Sequence, residues 1–282
     1  MKAPINKIIN MSFIDGPGSR ISIFFQGCNM KCIYCHNPET QNICLSCKKC
    51  INVCKVGALK FDEINKKITY NNNICINCDE CIGICENYSS PKITYHTPQE
   101  LFNYIIKYKN FIDGITFSGG ECSLYTEFIK SFTHIIHENT NLDVFLDTNG
   151  NIEDEDMEKL LTCVDGFMID LKAFDEYTHQ KVTGVNIDRI LKNIKKCSNS
   201  GKLYEIRTVL IENINDDEVI FNKELNFIEN LNSYTRFKLI PFRKFGVKGE
   251  LSKFNDYPRE KYHTYYEKSK KVLKDRMINP II

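Results

Sequence analysis

The chain has 282 residues, which at about 100–200 residues per domain indicates one large domain or a large domain with a small one. Hydrophobic residues make up 42% and charged residues 26%, as in a globular protein with a sizeable core. The 37 Lys and Arg balance the 36 Asp and Glu, which argues against binding to nucleic acid or to an anionic membrane surface. The unusual feature is 14 cysteines, of which 11 fall between Cys28 and Cys85.

Cysteines at this density form either disulfides or metal sites, and the N-terminal segment favours the second. Residues 1–13 contain neither the apolar stretch nor the small-residue cleavage site of a secretory signal. No apolar run approaches the length that spans a bilayer, so no membrane association is expected. We therefore predict a cytoplasmic protein whose clustered cysteines are metal ligands or catalytic thiols rather than disulfides.

Eight cysteines form two copies of the run C-x2-C-x2-C-x3-C, and the copy that begins at Cys75 follows the copy that begins at Cys44 by 31 residues. This run is typical of bacterial ferredoxins with two [4Fe–4S] clusters, in which the fourth Cys of each run binds the other cluster. Two zinc sites are the alternative, although structural zinc more often uses two separated pairs. Lys55 and Glu86 stand where such runs usually have Pro. The predicted ligands are Cys44, Cys47, Cys50 and Cys85 for one cluster, and Cys75, Cys78, Cys81 and Cys54 for the other.

A third group, Cys28, Cys32 and Cys35, has the spacing C-x3-C-x2-C. A cluster held by three thiolates leaves one iron open to a substrate, and an open position is typical of catalytic metal sites. Two alternatives use His36: a zinc site, or the haem-attachment motif C-x-x-C-H. The haem motif belongs to exported proteins and leaves Cys28 unexplained. The preceding segment, 20–26, has strand composition, so the loop would follow a strand at the end where α/β barrels place their chemistry.

After Cys85 the pattern alternates strands and helices, and Thr97 with Glu100 forms a capping box ahead of a helix that begins at Pro98. Six βα units are fewer than the eight of a closed barrel, so we predict an α/β fold, a partial (β/α)6 TIM-like barrel. The predicted domains are a first βα unit with the cysteine loop (1–40), a bacterial-ferredoxin-like insert (41–88) and the remainder of the barrel (89–282). After the first strand, the predicted strands are Gly114–Ser118, Val144–Asp147, Gly166–Asp170, Leu203–Val209 and Arg236–Ile240. The predicted helices are Glu127–Asn139, Asp154–Leu161, Ile187–Cys197, Asp216–Asn230 and a Lys-rich C-terminal helix.

Three predicted strands end in polar or glycine residues, at Ser118–Glu121, Asp147–Gly150 and Asp170–Lys172. One such end alone is usually turn chemistry, since Gly and Asn tolerate positive φ. Three of them at one face, beside a three-cysteine loop, indicate a shared site. Three cysteines remain outside these motifs, and they are predicted to be packing residues: Cys122, Cys163 and Cys197.

These motifs occur together with Asp15-Gly16-Pro17-Gly18-Ser19-Arg20, Gln26-Gly27-Cys28 and His36-Asn37-Pro38. The joint set resembles the radical S-adenosylmethionine (SAM) superfamily and, more narrowly, the activating enzymes of glycyl radical enzymes. The eight-cysteine insert and the chain length are most similar to the YjjW-type activases, which carry two auxiliary clusters. Arg243 departs from the family, which often has a ribose-contacting His after the last strand.

The resemblance implies an anaerobic oxidoreductase with SAM and three [4Fe–4S] clusters, one bound by Cys28, Cys32 and Cys35. That cluster would cleave SAM to methionine and a 5′-deoxyadenosyl radical, which takes hydrogen from a glycine Cα of a partner glycyl radical enzyme. Flavodoxin or ferredoxin would donate the electron, and a monovalent cation (Na⁺ or K⁺) would lie beside SAM. The implied SAM contacts are Lys172 and Arg207 at the carboxylate, Tyr34 and His36 near the adenine, and Gly119, Gly120 and Glu121 at the amino group. The implied cation ligands are Asp147, Thr148, Met168 and Asp170, and Asp15 would help receive the partner's glycine loop.

Two other functions remain open at this point. One is a radical SAM enzyme that acts on a small molecule or a peptide. The other is a non-enzymatic iron–sulfur electron carrier, which would not cleave SAM. If all eight cysteines of the insert bind iron, the auxiliary clusters have no open position, so electron relay or a structural role is expected rather than substrate binding. We favour relay, with a structural or vestigial role as the alternative.

Overall fold

The structure, a computed structural model, describes residues 1–279. The chain divides into two compact units. The first contains Met1–Asn29 and Asn37–Leu142, and the second contains Met30–His36 and the segment that begins at Asp143. The predicted division into residues 1–40, 41–88 and 89–282 stays a prediction.

The first unit contains a four-stranded sheet and a cysteine-rich segment. Strand β2 pairs in parallel with β6 and antiparallel with β1, which in turn pairs antiparallel with β5. The strands are β1 (Ala3–Ser12), β2 (Arg20–Phe25), β3 (Leu59–Asp62), β4 (Lys67–Tyr70), β5 (Thr94–His96) and β6 (Gly114–Gly119), and the helices are α1 (Glu80–Gly83), α2 (Pro98–Ile105) and α3 (Thr126–Asn139).

Strands β2 and β6 and helices α2 and α3 were predicted, and the structure confirms them. The capping box is formed: the Glu100 amide donates to Thr97 Oγ1 at 3.1 Å, and the Thr97 amide donates to Glu100 Oε2 at 2.8 Å. Strand β1 was not predicted. Its register with β2 shifts twice, between Ile5 and Lys7 and between Ile9 and Ser12, and such bulges break the alternation of apolar and polar residues.

The cysteine-rich segment has its own small core. Strands β3 and β4 form an antiparallel pair between the two cysteine runs, with Leu59 opposite Tyr70. Buried Cys50, Leu59 and Cys81 form the centre, and partly buried side chains surround it: Ile51, Cys54, Ile68, Tyr70 and Ile82. Thiols from both runs therefore contribute to one interior.

The second unit contains a fully parallel sheet in the order β7-β8-β9-β10-β11. Phe167, Met168 and Ile169 of β8 are fully buried, as expected of a parallel strand covered on both faces. The strands are β7 (Asp143–Thr148), β8 (Gly166–Asp170), β9 (Leu203–Leu210), β10 (Arg236–Pro241) and β11 (Met277–Ile278). The helices are α4 (Asp154–Cys163), α5 (Glu176–Thr183), α6 (Asp188–Asn199), α7 (Glu218–Glu229) and α8 (Arg259–Leu273).

Strands β7 to β10 and helices α4, α6, α7 and α8 confirm the predicted elements, with ends that differ by a few residues. Helix α5 was not predicted. It is short and mostly polar, and its start depends on the Asp175 side chain, which accepts a hydrogen bond from the Thr178 amide at 2.9 Å. Across residues 1–279, no helix has both the length and the apolar character that a bilayer crossing requires.

Candidate active site and cluster sites

Helix α5 positions the part of the cysteine loop that belongs to the second unit. The Lys31 amide donates to the Thr183 carbonyl at 2.9 Å, and the Ile33 amide donates to the Val182 carbonyl at 3.0 Å. Carbonyls in the last turn of a helix have no partner within the helix, so they are available to the loop. Burial raises the pKa of the Cys32 thiol to about 11, and nearby Lys172 partly offsets this. Metal binding would replace that proton, because the thiolate is the ligand form.

Tyr34 and His36, the residues expected near the adenine, have definite partners in the same unit. Tyr34 is buried, and its hydroxyl donates to the Lys172 carbonyl at 3.5 Å. The His36 Nε2 atom lies 2.8 Å from the Arg243 carbonyl oxygen, and its ring lies 6.1 Å from the Phe242 ring. Arg243, which departs from the family pattern, thus contacts His36 through its backbone carbonyl. This contact does not depend on the side chain at position 243.

In the first unit, Cys28 lies at the end of a tightly held turn. The Gly27 and Cys28 amides donate to the carbonyls of Thr40 and Gln41 at 2.8 and 2.9 Å. The Gln26 side-chain amide donates to the Glu39 carbonyl at 2.7 Å. These bonds place the first cysteine of the trio immediately after β2.

Gly119, Gly120 and Glu121 follow β6 in the same unit. A Cβ on Gly119 would lie 2.2 Å from the Phe25 amide nitrogen, and one on Gly120 would lie 2.1 Å from the Gly27 carbonyl oxygen. Both glycines are therefore required for the close approach of this turn to the end of β2. The buried Glu121 carboxylate accepts a hydrogen bond from the Ser123 amide at 2.9 Å. Their predicted contact with the amino group of SAM stays a prediction.

The Arg207 guanidinium is the centre of a half-buried polar group in the second unit. It lies 3.1 Å from Asp147 Oδ1 and 2.5 Å from Glu205 Oε1, and it donates to Met168 Sδ at 3.0 Å. Burial disfavours its charge, but Asp147 and Glu205 raise the pKa of Arg207, so it stays protonated. Strands β7, β8 and β9 each contribute one or two of these side chains.

Lys172 forms the second cationic group of this unit. Its ammonium lies 2.6 Å from Asp170 Oδ2 and 5.8 Å from the centre of the Tyr34 ring. Burial would raise the pKa of Asp170, but Lys172 and Arg207 together lower it. Asp170 also lies opposite Arg207 in the register of β8 and β9. The two predicted carboxylate-binding cations, Arg207 in β9 and Lys172 two residues beyond β8, therefore each lie beside a carboxylate.

The predicted cation ligands lie in this group. Asp147 lies opposite Met168, and Thr148 lies opposite Ile169, in the register of β7 and β8. Thr148 is buried, and its Oγ1 accepts a hydrogen bond from the Gly150 amide at 3.1 Å. Asp147, Met168 and Asp170 already contact Arg207 or Lys172, as described above. Any cation would therefore share these oxygens and this sulfur with two basic side chains.

Asp15, the residue expected to receive the partner's glycine loop, holds its own loop together in the first unit. Its Oδ2 atom accepts hydrogen bonds from Ser12 at 2.6 Å and from Ser22 at 2.8 Å. Its carbonyl accepts a third from Thr116 at 2.6 Å. The carboxylate thus determines the shape of the segment between β1 and β2.

The insert brings one complete predicted cluster-ligand set around a single cavity. That cavity also has an apolar lining, which includes Val53 and Leu59. Four thiols and apolar walls suit a [4Fe–4S] cluster, whose ligands are four Cys thiolates. The thiols of the set are those of Cys54, Cys75, Cys78 and Cys81, with Lys55, Tyr70 and Lys92 beside them.

The other predicted ligand set is linked through electrostatic contacts. The Cys50 thiol interacts with the thiols of Cys44 and Cys47, and the Lys49 ammonium interacts with those of Cys47 and Cys85. Among the described residues 1–279, no three His, Cys, Asp or Glu side chains converge closely enough to hold a single metal ion. None of the 14 cysteines, all of which lie in this range, forms a disulfide.

Two functional residues were missed by sequence reasoning. Glu205 is buried and pairs with Arg207 two positions along β9, so the two side chains share a face. That i, i+2 pairing of opposite charges on a strand was the available signal. The side-chain amide of Asn215 donates to the carbonyls of Lys172 and Val209 at 3.0 and 2.8 Å, and no local pattern indicates this role.

Comparison with known proteins gives consistent results. A family profile described as Radical SAM superfamily matches residues 22–222. The chain is 36% identical to the trans-4-hydroxy-L-proline dehydratase activating enzyme of Clostridioides difficile, over 85% of each chain. It is 32% identical to the 4-hydroxyphenylacetate decarboxylase activating enzyme of Clostridioides difficile strain 630, over 87% of this chain and 84% of the relative.

Solved structures share the fold at lower identity. A radical SAM methyltransferase from Sphaerobacter thermophilus matches with a TM-score of 0.55 and 14% identity, over 91% of this chain and 64% of that chain. QueE from Escherichia coli matches with a TM-score of 0.51 and 13% identity, over 85% of each chain. The predicted α/β fold of the radical SAM type and the resemblance to activating enzymes of glycyl radical enzymes are confirmed, whereas the ferredoxin-like insert and the similarity to the YjjW type stay predictions. The chain therefore belongs to the radical SAM superfamily and, within it, to the activating enzymes of glycyl radical enzymes.

Proposed function

We propose that Cys28, Cys32 and Cys35 hold the SAM-binding [4Fe–4S] cluster of this activase. When bound, the cluster supplies the electron that cleaves SAM, and the resulting 5′-deoxyadenosyl radical takes hydrogen from the partner's glycine. The observation that carries the proposal is the placement of Lys172, two residues beyond the end of β8, and of Arg207, in the adjacent strand β9, in the unit that contains Cys32 and Cys35. Two cations in the unit that contains Cys32 and Cys35 match a substrate with one carboxylate.

We assign the SAM carboxylate to Lys172 and Arg207. Both cations are mostly shielded from solvent, with side chains 15% exposed for Lys172 and 11% for Arg207, and both are held by acidic partners, so their positions are set before substrate arrives. In a site of low dielectric, a buried carboxylate requires such partners. The planar guanidinium can present two N–H groups to it, which defines orientation as well as charge. Tyr34 and His36 near the adenine, and Gly119, Gly120 and Glu121 at the amino group, complete the proposed set.

We also propose a monovalent cation, Na⁺ or K⁺, held by Asp147, Thr148, Met168 and Asp170. Charge balance supports it. With all groups ionised, Asp147, Asp170 and Glu205 contribute three negative charges against two positive charges from Lys172 and Arg207, a net charge of −1. The SAM carboxylate would add another negative charge, which strengthens the requirement for a further cation.

The insert, residues 41–88, is proposed to hold two auxiliary [4Fe–4S] clusters between the first βα unit (1–40) and the remainder of the barrel (89–282). The cavity lined by Cys54, Cys75, Cys78 and Cys81 supports the exchange of fourth cysteines between the runs. With four thiolates each, the clusters would relay electrons from flavodoxin or ferredoxin rather than bind substrate.

The proposed partner is a glycyl radical enzyme whose glycine loop docks near Asp15. Exposed apolar side chains flank that residue: Met11, Phe13 and Ile14 are 50%, 67% and 56% exposed. Apolar side chains grouped at a surface favour a protein contact. The names of the relatives suggest two probes for the partner, trans-4-hydroxy-L-proline dehydratase and 4-hydroxyphenylacetate decarboxylase.

The test uses the full chain reconstituted with iron and sulfide without oxygen, then mixed with SAM and dithionite. Formation of 5′-deoxyadenosine and methionine in equal amounts is expected, and replacement of Cys28, Cys32 and Cys35 by Ala together should abolish it. Addition of either probe enzyme should give a glycyl radical EPR doublet. Undiminished 5′-deoxyadenosine from the triple variant would overturn the assignment of the cluster, whereas cleavage without a doublet on either probe would exclude those two partners only.

A further inference from the structure

The two cysteine runs of the insert form equivalent backbone contacts to their sulfurs. The Ser46 amide donates to Cys44 Sγ at 3.4 Å, and the Asn77 amide donates to Cys75 Sγ at the same distance. Each of these positions in the second run lies 31 residues beyond its counterpart in the first. Hydrogen bonds to sulfur influence the potential of an iron–sulfur cluster, and these two are matched.

Exposed ion pairs are matched as well. Lys49 donates to Glu86 at 2.7 Å and Lys55 donates to Glu80 at 2.6 Å. Lys49 and Glu80 occupy equivalent positions, and so do Lys55 and Glu86. Each lysine is close to a thiol of one predicted cluster, Lys49 to Cys47 and Lys55 to Cys78. These charges therefore affect both clusters similarly.

Lys92 breaks the symmetry. Its side chain is 12% exposed, it lines the cavity of the second run, and its ammonium interacts with the thiols of Cys75 and Cys81. The equivalent position in the first run is Phe61, which carries no charge. The ammonium of Lys48 lies 3.6 Å from the centre of the Phe61 ring.

Asp79 and Asn77 hold Lys92 in place. The ammonium lies 2.5 Å from Asp79 Oδ1 and 3.4 Å from Asn77 Oδ1. Asp79 partly offsets the charge of the ammonium, but its side chain is 62% exposed, whereas that of Lys92 is 12% exposed. A cation that is shielded from water interacts more strongly with a nearby charge than an exposed one does.

We propose that Lys92 makes the two auxiliary clusters unequal, so that the cluster of Cys75, Cys78, Cys81 and Cys54 has the higher reduction potential. Reduction adds a negative charge to a cluster, and a nearby ammonium that is mostly shielded from water stabilises that charge. The proposal rests on the two auxiliary clusters of the proposed function. It assigns Lys92 a tuning role and implies that an electron entering the insert resides first on the second-run cluster.

The test uses the full-length chain with Cys28, Cys32 and Cys35 replaced by Ala, so that only the auxiliary clusters remain. Reductive titration followed by EPR should show two one-electron steps. Lys92→Met keeps the apolar stem and removes the charge. It should lower the reduction potential of the higher step by at least about 59 mV, which corresponds to about a tenfold change in the ratio of reduced to oxidised cluster. The lower step should move much less.

Matched variants separate tuning from structure. Lys92→Arg keeps the charge and should retain the native higher step, while Lys66→Met removes an exposed lysine that pairs with Glu63 and should move neither step. Steps that stay unchanged in Lys92→Met, or that move equally, overturn the inference and leave the proposed function standing. Fewer than about eight irons per chain in the parent protein would instead overturn the two auxiliary clusters.

Discussion

Lys55 Nζ lies 2.6 Å from Glu80 Oε1, in an ion pair that joins the two cysteine runs of the insert. Lys49 and Glu86 form a second ion pair between the runs, at 2.7 Å. Each lysine of the first run stands at the position that a glutamate occupies in the second. Lys55 and Glu86 directly follow the fourth cysteine of their runs, where Pro is usual in ferredoxin-type sequences. The departure from Pro thus places a cross-run contact beside each of the cysteines that must reach the other cluster.

Lys55→Glu would place two like charges together and loosen Cys54 from the second run. Both side chains are exposed, so little change in folding stability is expected. The expected result is faster loss of iron to a chelator, with recovery in the charge-swapped double variant Lys55→Glu with Glu80→Lys. Lys60→Glu, which changes another exposed lysine of the insert, is the control. If the double variant loses iron no more slowly than Lys55→Glu alone, this account would be contradicted.

Replacement of Cys28, Cys32 and Cys35 by Ala should remove one cluster and leave two. By the ligand count, iron should fall from about twelve to about eight per chain. Cys163→Ala is the matched control because Cys163 lies in α4 and its thiol donates to the Leu160 carbonyl at 3.6 Å. An iron content that does not fall in the triple variant would show that the trio is not a cluster site.

Arg207→Lys should weaken SAM binding while it retains the positive charge. The variant loses part of the fork that contacts Asp147, Glu205 and Met168. Loss of one charged hydrogen bond costs about 1.5–3 kcal/mol, so the KM for SAM should rise about 10- to 100-fold. The measurement is 5′-deoxyadenosine formation against SAM concentration, with Arg189→Lys as control because Arg189 pairs with exposed Glu153. Equal KM values for the two variants would argue against the role of Arg207.

Glu224 makes folding stability depend on pH. Burial raises the pKa of Glu224 to about 7, although the Thr208 hydroxyl donates to its carboxylate at 2.5 Å. An unfolded Glu titrates near pH 4.3. Between these values the folded chain holds the additional proton, so this contribution to the free energy of unfolding falls as pH rises to 7.

Glu224→Gln removes this titration and keeps an acceptor for Thr208. Relative to the native chain, the variant should gain up to about 3 kcal/mol in the free energy of unfolding between pH 5 and pH 8. Urea denaturation at the two pH values measures the difference. Glu218→Gln, at an exposed position on the same helix, should show a much smaller gain. A parallel pH response of Glu224→Gln and the native chain would contradict the assignment.

The regular elements followed from local patterns where those patterns were intact. Helix α2 has a complete capping box, and β8 is a continuous apolar run, so both were predicted. Strand β1 and helix α5 were missed because bulges interrupt the first and polar composition hides the second.

The amino-acid sequence by itself determined the chemistry of the protein, because short spacings decide which thiols can reach one cluster and which side chains leave a strand end together. Tertiary structure decided which partners those groups have. Arg207 meets Asp147 across 60 residues of chain, and Lys92 enters the cavity of a cysteine run that ends before it. Such contacts depend on how distant segments pack, and packing of distant segments leaves no periodic signal in the sequence.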